Sequence, residues 1–312
     1  MINIHKFYNE KINAVTHTAP HHADEVFATA MLSVLFPVEL LRTRDQEIIK
    51  NTKAIVYDVG GEFDPIRKRF DHHQKSFSEI RDDGISYSSA GLIWREYGAS
   101  IVKSMTKTNP IDDVMTAEVV SLVDEALIRG IDARDNGQGE KGDSMSVSSV
   151  ISACNSLWDE NEDADTCFLR ACDLATAILV REIDVAISTI RGRKLVADKI
   201  KTVDGPILVI DQFIGGWLEE VVRSEEPKAM NLLFAVFPAT NGDWNIQAIP
   251  PTKEDMMGQR KPFPDPWRGL KDEKLVEVSG VKTAIFCHKA GFFAVAKTKE
   301  DAIRLAEKAV NS

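Results

Sequence analysis

A chain of 312 residues, 44% hydrophobic and 28% charged, is long enough for two cored domains of about 100–200 residues each and too apolar to stay disordered. Its 48 Asp and Glu outnumber its 38 Lys and Arg, and the net charge of −10 excludes a protein that coats duplex nucleic acid through an evenly positive field. A local basic cluster, or metal ions acting as the positive charge, stays open.

The start, Met1-Ile2-Asn3-Ile4-His5-Lys6, has no signal-peptide core, and no apolar run reaches the about 20 residues of a membrane span. Cys154, Cys167, Cys172 and Cys287 lack any Cys-x-x-Cys spacing and read as reduced, buried thiols. The expectation is a soluble cytoplasmic enzyme with no membrane partner.

Ile12 to His17 reads as a strand, and Asp24 to Leu35 as a helix by its apolar spacing. Val38 to Arg42 is a second strand, followed by a short polar helix ending before Lys53. Ala54 to Asp58 is a third strand, closed by Gly60-Gly61. Short apolar runs alternating with helices predict βαβ units and a parallel sheet. Ser88-Ser89 open a helix through Tyr97 that is expected to stop at Gly98. Ile111 to Ala126 is helical, and from Asp163 a helical pattern persists past Ile190 until Asp204-Gly205-Pro206 breaks it. Beyond that break the pattern turns α+β. Strands are expected over Ile207–Ile210, Asn231–Phe237, Trp244–Ile249, Thr283–Cys287 and Phe292–Ala296, with a long loop from Pro250 to Pro266 and a closing helix from Thr298 to Val310. The predicted domains are therefore 1–204 and 205–312.

Six of the seven histidines fall within the first 73 residues. His17-Thr18-Ala19-Pro20-His21-His22-Ala23-Asp24-Glu25 follows the first strand, Asp58 ends the third, and Asp71-His72-His73 follows the basic Arg67-Lys68-Arg69. Asp132-Ala133-Arg134-Asp135-Asn136-Gly137 comes after a helix. Taken singly, Asp58 is a turn residue, Asp132 and Asp135 are turn formers, and His21-His22 are solvated. Together they are a carboxylate–imidazole set without thiolate, which suits Mn²⁺, Mg²⁺, Fe²⁺ or Zn²⁺, placed where open α/β sheets bind ligands. So many carboxylates repel one another without cations, which favours two ions over one.

Taken along the whole chain, the motifs resemble the Myg nuclease family (the melanocyte-proliferating-gene family) within the DHH phosphoesterase superfamily. The matching stretches are Thr16-His17, His22 to Glu25, Tyr57 to Gly61, Phe70 to Gln74, Ser88 to Leu92 and Asp132 to Gly137. They continue with Pro264 to Leu270, Val278 to Gly280, Ile285 to His288 and Thr298 to Glu300. Two positions depart from the family pattern: Thr18-Ala19-Pro20 with His21 after the first His, and Ala294-Val295 where related domains carry Gly-Gly.

The resemblance implies an α/β fold: an N-terminal parallel-sheet DHH-type domain joined by a long helix to a smaller α+β substrate-binding domain. It implies two divalent ions, Mn²⁺ first, with Mg²⁺ or Zn²⁺ as alternatives. His17 and His22 would hold the first ion and Asp24 the second. Asp58 would bridge them, and His72 with Asp132 would complete the second. Asp135 is the alternative to Asp132, or a partner that orients a histidine. His73 and Asp71, with Asp58, would act in catalysis, and Arg268 and His288 would grip a phosphate or a terminal nucleotide. The implied activity is a 3′→5′ exonuclease on short or single-stranded RNA, by two-metal activation of water, with a homodimer left open. Hydrolysis of pyrophosphate, a dinucleotide or an amide, or metal binding without catalysis, are the alternatives.

Overall fold

The computed structural model describes residues 1–139 and 145–312, which divide into two compact units, Met1–Ile187 and Ser188–Ser312. In unit 1 the chain runs β1 (Ile2–His5), β2 (Ala14–Thr16), α1 (Ala23–Leu35), β3 (Val38–Arg42), α2 (Gln46–Asn51) and β4 (Ile55–Tyr57). Two short strands follow, β5 (Phe63–Asp64) and β6 (Arg69–Phe70), then α3 (Ser89–Met105) and α4 (Asp113–Val123). A π-helical stretch (Asp124–Ile128) leads into α5 (Arg129–Asp135), and α6 (Val147–Ser152) precedes the long α7 (Ala164–Thr202), which passes through the boundary between the units.

The strand order of unit 1 is β1-β3-β2-β4-β6-β5, parallel throughout except for the antiparallel edge strand β5. The central strands β2, β3 and β4 carry Val15, Leu41 and Val56 into a buried cluster with Ile12, Ile49 and Val59. Continuous burial of this kind is what a parallel sheet covered by helices requires. β2, β4 and β6 are neighbours and point the same way, so Thr16, Tyr57 and Phe70 finish side by side, about 4.8 Å apart per strand. The residue that follows each is His17, Asp58 or Asp71. This register creates the site.

Two expectations need correction. Helix α3 does not stop at Gly98 but continues to Met105. A Cβ at Gly98 would lie 3.1 Å from Trp94 Cδ2, so this glycine makes room for a buried indole rather than ending the helix. Asp132 and Asp135 lie in the last turn of α5, where they face different surroundings, rather than in a turn.

Unit 2 contains β7 (Ile207–Val209), α8 (Trp217–Arg223), α9 (Pro227–Met230), β8 (Phe234–Pro238) and β9 (Trp244–Ala248). These are followed by α10 (Asp272–Ser279), β10 (Ala284–Cys287), β11 (Phe293–Ala296) and α11 (Lys299–Val310). Its sheet order is β10-β11-β9-β8-β7, with only β7 and β8 parallel. Both faces are covered. Phe234 and Val236 of β8 enter the core under α11, while Ala235 and Phe237 enter a second core with Val196, Ile200 and Trp217. Alternation along one strand thus divides its side chains between two cores. The five strands expected here and the closing helix are present, whereas α8, α9 and α10 carried too few apolar repeats to announce themselves.

The four cysteines are unpaired. No helix among the described residues is long and apolar enough to cross a membrane.

Candidate metal centre

Three overlapping sets of donors gather at the carboxyl ends of β2, β4 and β6. They are His17, His22, Glu25 and Asp58; Asp58, Asp71, His72 and His73; and Asp24, His72 and Asp135. Within each set the donor atoms lie within 4.8 Å of one another. Asp58 belongs to two sets and His72 to two.

The loop after β2 aims His17 by its backbone. Its Nδ1 lies 2.5 Å from the Thr18 carbonyl oxygen, which directs the Nδ1 hydrogen outward and leaves Nε2 facing Asp58 Oδ2 at 3.2 Å and Glu25 Oε1 at 3.3 Å. Burial works against charging this ring, but the carboxylates of Asp58 and Glu25 outweigh it and raise its pKa to about 10. Without a cation, then, the site holds a proton where an ion would sit.

Asp58 adopts a left-handed backbone, φ 54°, at the end of β4, and its N–H donates to Ser89 Oγ at 3.0 Å. Short polar residues tolerate that conformation best, and here it turns the carboxylate between two histidines. Burial opposes its charge, yet His17 and His72 pull its pKa down to about 2.

His72 carries the clearest sign of a missing partner. Its buried Nε2 makes no hydrogen bond, although it lies 3.3 Å from Asp135 Oδ2, 3.6 Å from Asp24 Oδ2 and 3.7 Å from Asp58 Oδ1. A buried nitrogen surrounded by three carboxylates and bonded to none fits a cation at their centre. Burial lowers the tendency of this ring to charge, but Asp58, Asp24 and Asp135 raise its pKa to about 9. Burial drives the carboxyls of Asp24, Glu25 and Asp135 the other way, above the usual carboxylate range. Acids whose charge is disfavoured by burial and by one another are the electrostatic signature of a cation site.

His73 is placed differently. Its side chain is 63% exposed, and its Nδ1 lies 2.7 Å from Asp71 Oδ1, which leaves Nε2 uncommitted. Asp71 Oδ2 also accepts the Gly61 N–H at 2.5 Å, where φ is +68°, so the Gly60-Gly61 turn fixes this carboxylate.

Asp24 is secured by the start of α3. Ser88 Oγ donates to its Oδ1 at 2.6 Å and Ser89 N–H to its Oδ2 at 3.0 Å, with Ala90 N–H on Oδ1 as well. A helix N-terminus is a favourable place for a buried anion.

Asp132 does not join the donors. Its Oδ2 takes Arg81 at 2.7 Å, and its Oδ1 accepts the Ser88 N–H at 3.1 Å and lies 2.7 Å from Ser88 Oγ, whose one hydrogen it shares with Asp24. Both oxygens are consumed three residues from Asp135, so Asp135, the alternative, is the carboxylate that reaches His72. His21 is set apart too: buried, 3.2 Å from the Ile151 carbonyl oxygen, and lowered by burial to a pKa of about 4. Glu25 was missed as a donor. The signal was its place three residues after His22, whose N–H it accepts at 3.1 Å.

Around these donors lies a cleft of about 1200 Å³, lined further by Arg44, Gln46, Arg134 and Asn136 and by serines of α6. Arg268 and His288 belong to unit 2. Arg268 donates to the Phe263 carbonyl at 2.9 Å and pairs with Asp265 at 2.7 Å, beside the Gly291 turn; Trp267 is buried in the core. His288 lies against Phe292, ring centroids 4.5 Å apart and tilted by 55°.

Residues 13–310 match the MYG1 exonuclease family, described as uncharacterised protein family UPF0160. The MYG1 protein C694.04c of Schizosaccharomyces pombe is 33% identical over 97% of this chain and 98% of its own length. The MYG1 exonuclease of Homo sapiens is 32% identical over 93% of this chain and 84% of its own. Among solved structures, a pGpG-specific phosphodiesterase, PggH from Vibrio cholerae, aligns over 96% of this chain and 98% of that one at 11% identity; its TM-score of 0.29 is too low to bear on fold or function.

Proposed function

The chain belongs to the MYG1 exonuclease family, and we propose that it is a metal-dependent phosphodiesterase that shortens short or single-stranded RNA from its 3′ end. The observation that carries this reading is Asp58, whose Oδ2 lies 3.2 Å from His17 Nε2 and whose Oδ1 lies 3.7 Å from His72 Nε2, as a carboxylate between two cations would. His17, His22 and Glu25 would hold one ion with Asp58, and Asp24, His72 and Asp135 the other. Such ions supply Lewis-acid neutralisation of phosphoryl charge and acidify water. Mn²⁺ suits this imidazole–carboxylate set.

The protein's own groups would do the rest. His73, raised in pKa by its Asp71 partner, would offer Nε2 to a phosphate oxygen. Asp71 acts as a positioning group that holds the ring. Arg268 and His288 are proposed to bind the nucleic-acid end, a reading supported by the family resemblance. The DHH-type arrangement of unit 1 is supported in the same way, together with the donors at its strand ends.

A 5′-labelled single-stranded oligoribonucleotide incubated with Mn²⁺ is expected to give a ladder of labelled products shortened from the 3′ end, stopped by chelator. Pyrophosphate run in parallel is expected to stay intact. Pyrophosphate cleavage alone, or no RNA digestion by the metal-loaded protein, would overturn the proposal.

A further inference from the structure

Two arginines line the cleft of the donor cup, and nothing above gives either a task. Arg44 stands two residues beyond the end of β3, and Arg134 lies in α5 beside Asp135. Both are exposed, and among the described residues neither guanidinium meets a carboxylate. Of the other eight arginines of unit 1, Arg42, Arg67, Arg81, Arg95, Arg129 and Arg170 each hold one, Arg69 is spent on backbone carbonyls, and only Arg181, on α7 and outside the cleft lining, is likewise unpaired among the described residues. In a chain with a net charge of −10, two guanidiniums left open on one concave surface suggest an anionic ligand.

Size points the same way. Ligand pockets commonly measure about 300–1,000 Å³, and this cleft reaches about 1200 Å³, so a single phosphate group beside the donors leaves most of it unused. A guanidinium stays charged at any working pH and grips phosphate with two parallel N–H donors. Ser148 and Ser152 of α6 add hydroxyls to the same lining.

We propose that Arg44 and Arg134 form an anion subsite for a second phosphate of the substrate, next to the one hydrolysed. The subsite selects nucleotide chains with a terminal or flanking phosphate over simple diesters. This rests on the phosphodiesterase reading above and adds to it the chemistry of the neighbouring group.

The test compares the full chain with Arg44→Gln, Arg134→Gln and the double variant, all loaded with Mn²⁺ and checked for an unchanged melting temperature. The probes are a uridine dinucleotide bare, with a 5′-phosphate, and with a 3′-phosphate. The native chain should favour one phosphorylated form. Each single variant should lower the ratio of kcat/KM for that form over the bare one about tenfold, through KM, and the double variant should lower it further. An unchanged ratio, or equal loss on all three probes, overturns the subsite. If the native chain hydrolyses none of them, the phosphodiesterase reading fails, and calorimetric titration of the same probes decides the subsite alone. Binding of a phosphorylated probe weakened about tenfold in the variants supports it; equal binding, or none by the native chain, overturns it.

Discussion

Asp58 stands between His17 and His72, the histidines of the two proposed ion sites, and its neighbours show what its loss would do. Two histidines whose pKa values stand near 10 and 9 owe them partly to this carboxylate. Asp58→Ala should therefore release cation and reduce Mn²⁺-stimulated RNA digestion by at least about a hundredfold, while circular dichroism stays native. Undiminished turnover with metal still bound would sink the shared-ligand assignment. The adjacent histidines separate the roles further. His72 Nε2 is buried among three carboxylates, whereas the His73 ring is 63% exposed and tied by Nδ1 to Asp71. His72→Ala should lower the bound metal measured by emission spectrometry. His73→Ala should retain the metal and slow turnover about a hundredfold. Equal metal loss in both variants would contradict the division.

At the scale of elements, what the sequence made visible was the convergence of strand ends. Short β-rich runs ending in His17 and Asp58 could be read directly, because a parallel sheet puts its ligands at those ends. Strand β6 could not. It spans only Arg69 and Phe70, and the run Arg67-Lys68-Arg69 looks solvated. Arg69 is nevertheless buried, its guanidinium donating to the carbonyls of Thr52 at 2.8 Å, Ala54 at 3.2 Å and Ile49 at 3.3 Å. Nor could the choice between Asp132 and Asp135 be made from spacing, since it depends on which face of α5 meets Arg81. Packing of α3 against α5 adds a constraint visible only in three dimensions. A Cβ on Gly91 would fall 2.3 Å from Asp132 Oδ2, on a carboxylate already fixed by Arg81 and Ser88. Gly91→Ala should then cost roughly 1–3 kcal/mol and lower the melting temperature by several degrees in a calorimeter. A melting temperature equal to the native one would show that Asp132 moves aside freely.

For the whole molecule, every proposed metal ligand belongs to residues 1–187, and two of them, His17 and His72, carry protons that a cation must displace. The sign follows from the shifts. His17 and His72 are raised from an ordinary imidazole value near 6.5 to about 10 and about 9, so at pH 7 the metal-free protein holds both rings charged. That contribution to stability is complete below about pH 6.5 and is lost as the pH climbs through 9 and 10. A bound cation needs neutral imidazoles and ionised carboxylates, so its uptake expels protons. Apparent Mn²⁺ affinity should therefore rise with pH between 6 and 9, the logarithm of each ion's binding constant gaining up to about one per unit where its ring starts protonated, and flatten above about 10. Mn²⁺ at a hundred times its dissociation constant should stabilise the fold by about 2.7 kcal/mol for each ion bound. Hydrogen exchange should slow at the ends of β2, β4 and β6 and at the start of α1. Titration calorimetry in buffers of different ionisation enthalpy measures the protons released. Heats that do not depend on the buffer, together with an affinity constant from pH 6 to 9, would mean that these rings are neutral before the metal arrives, and the charged-histidine account would fail.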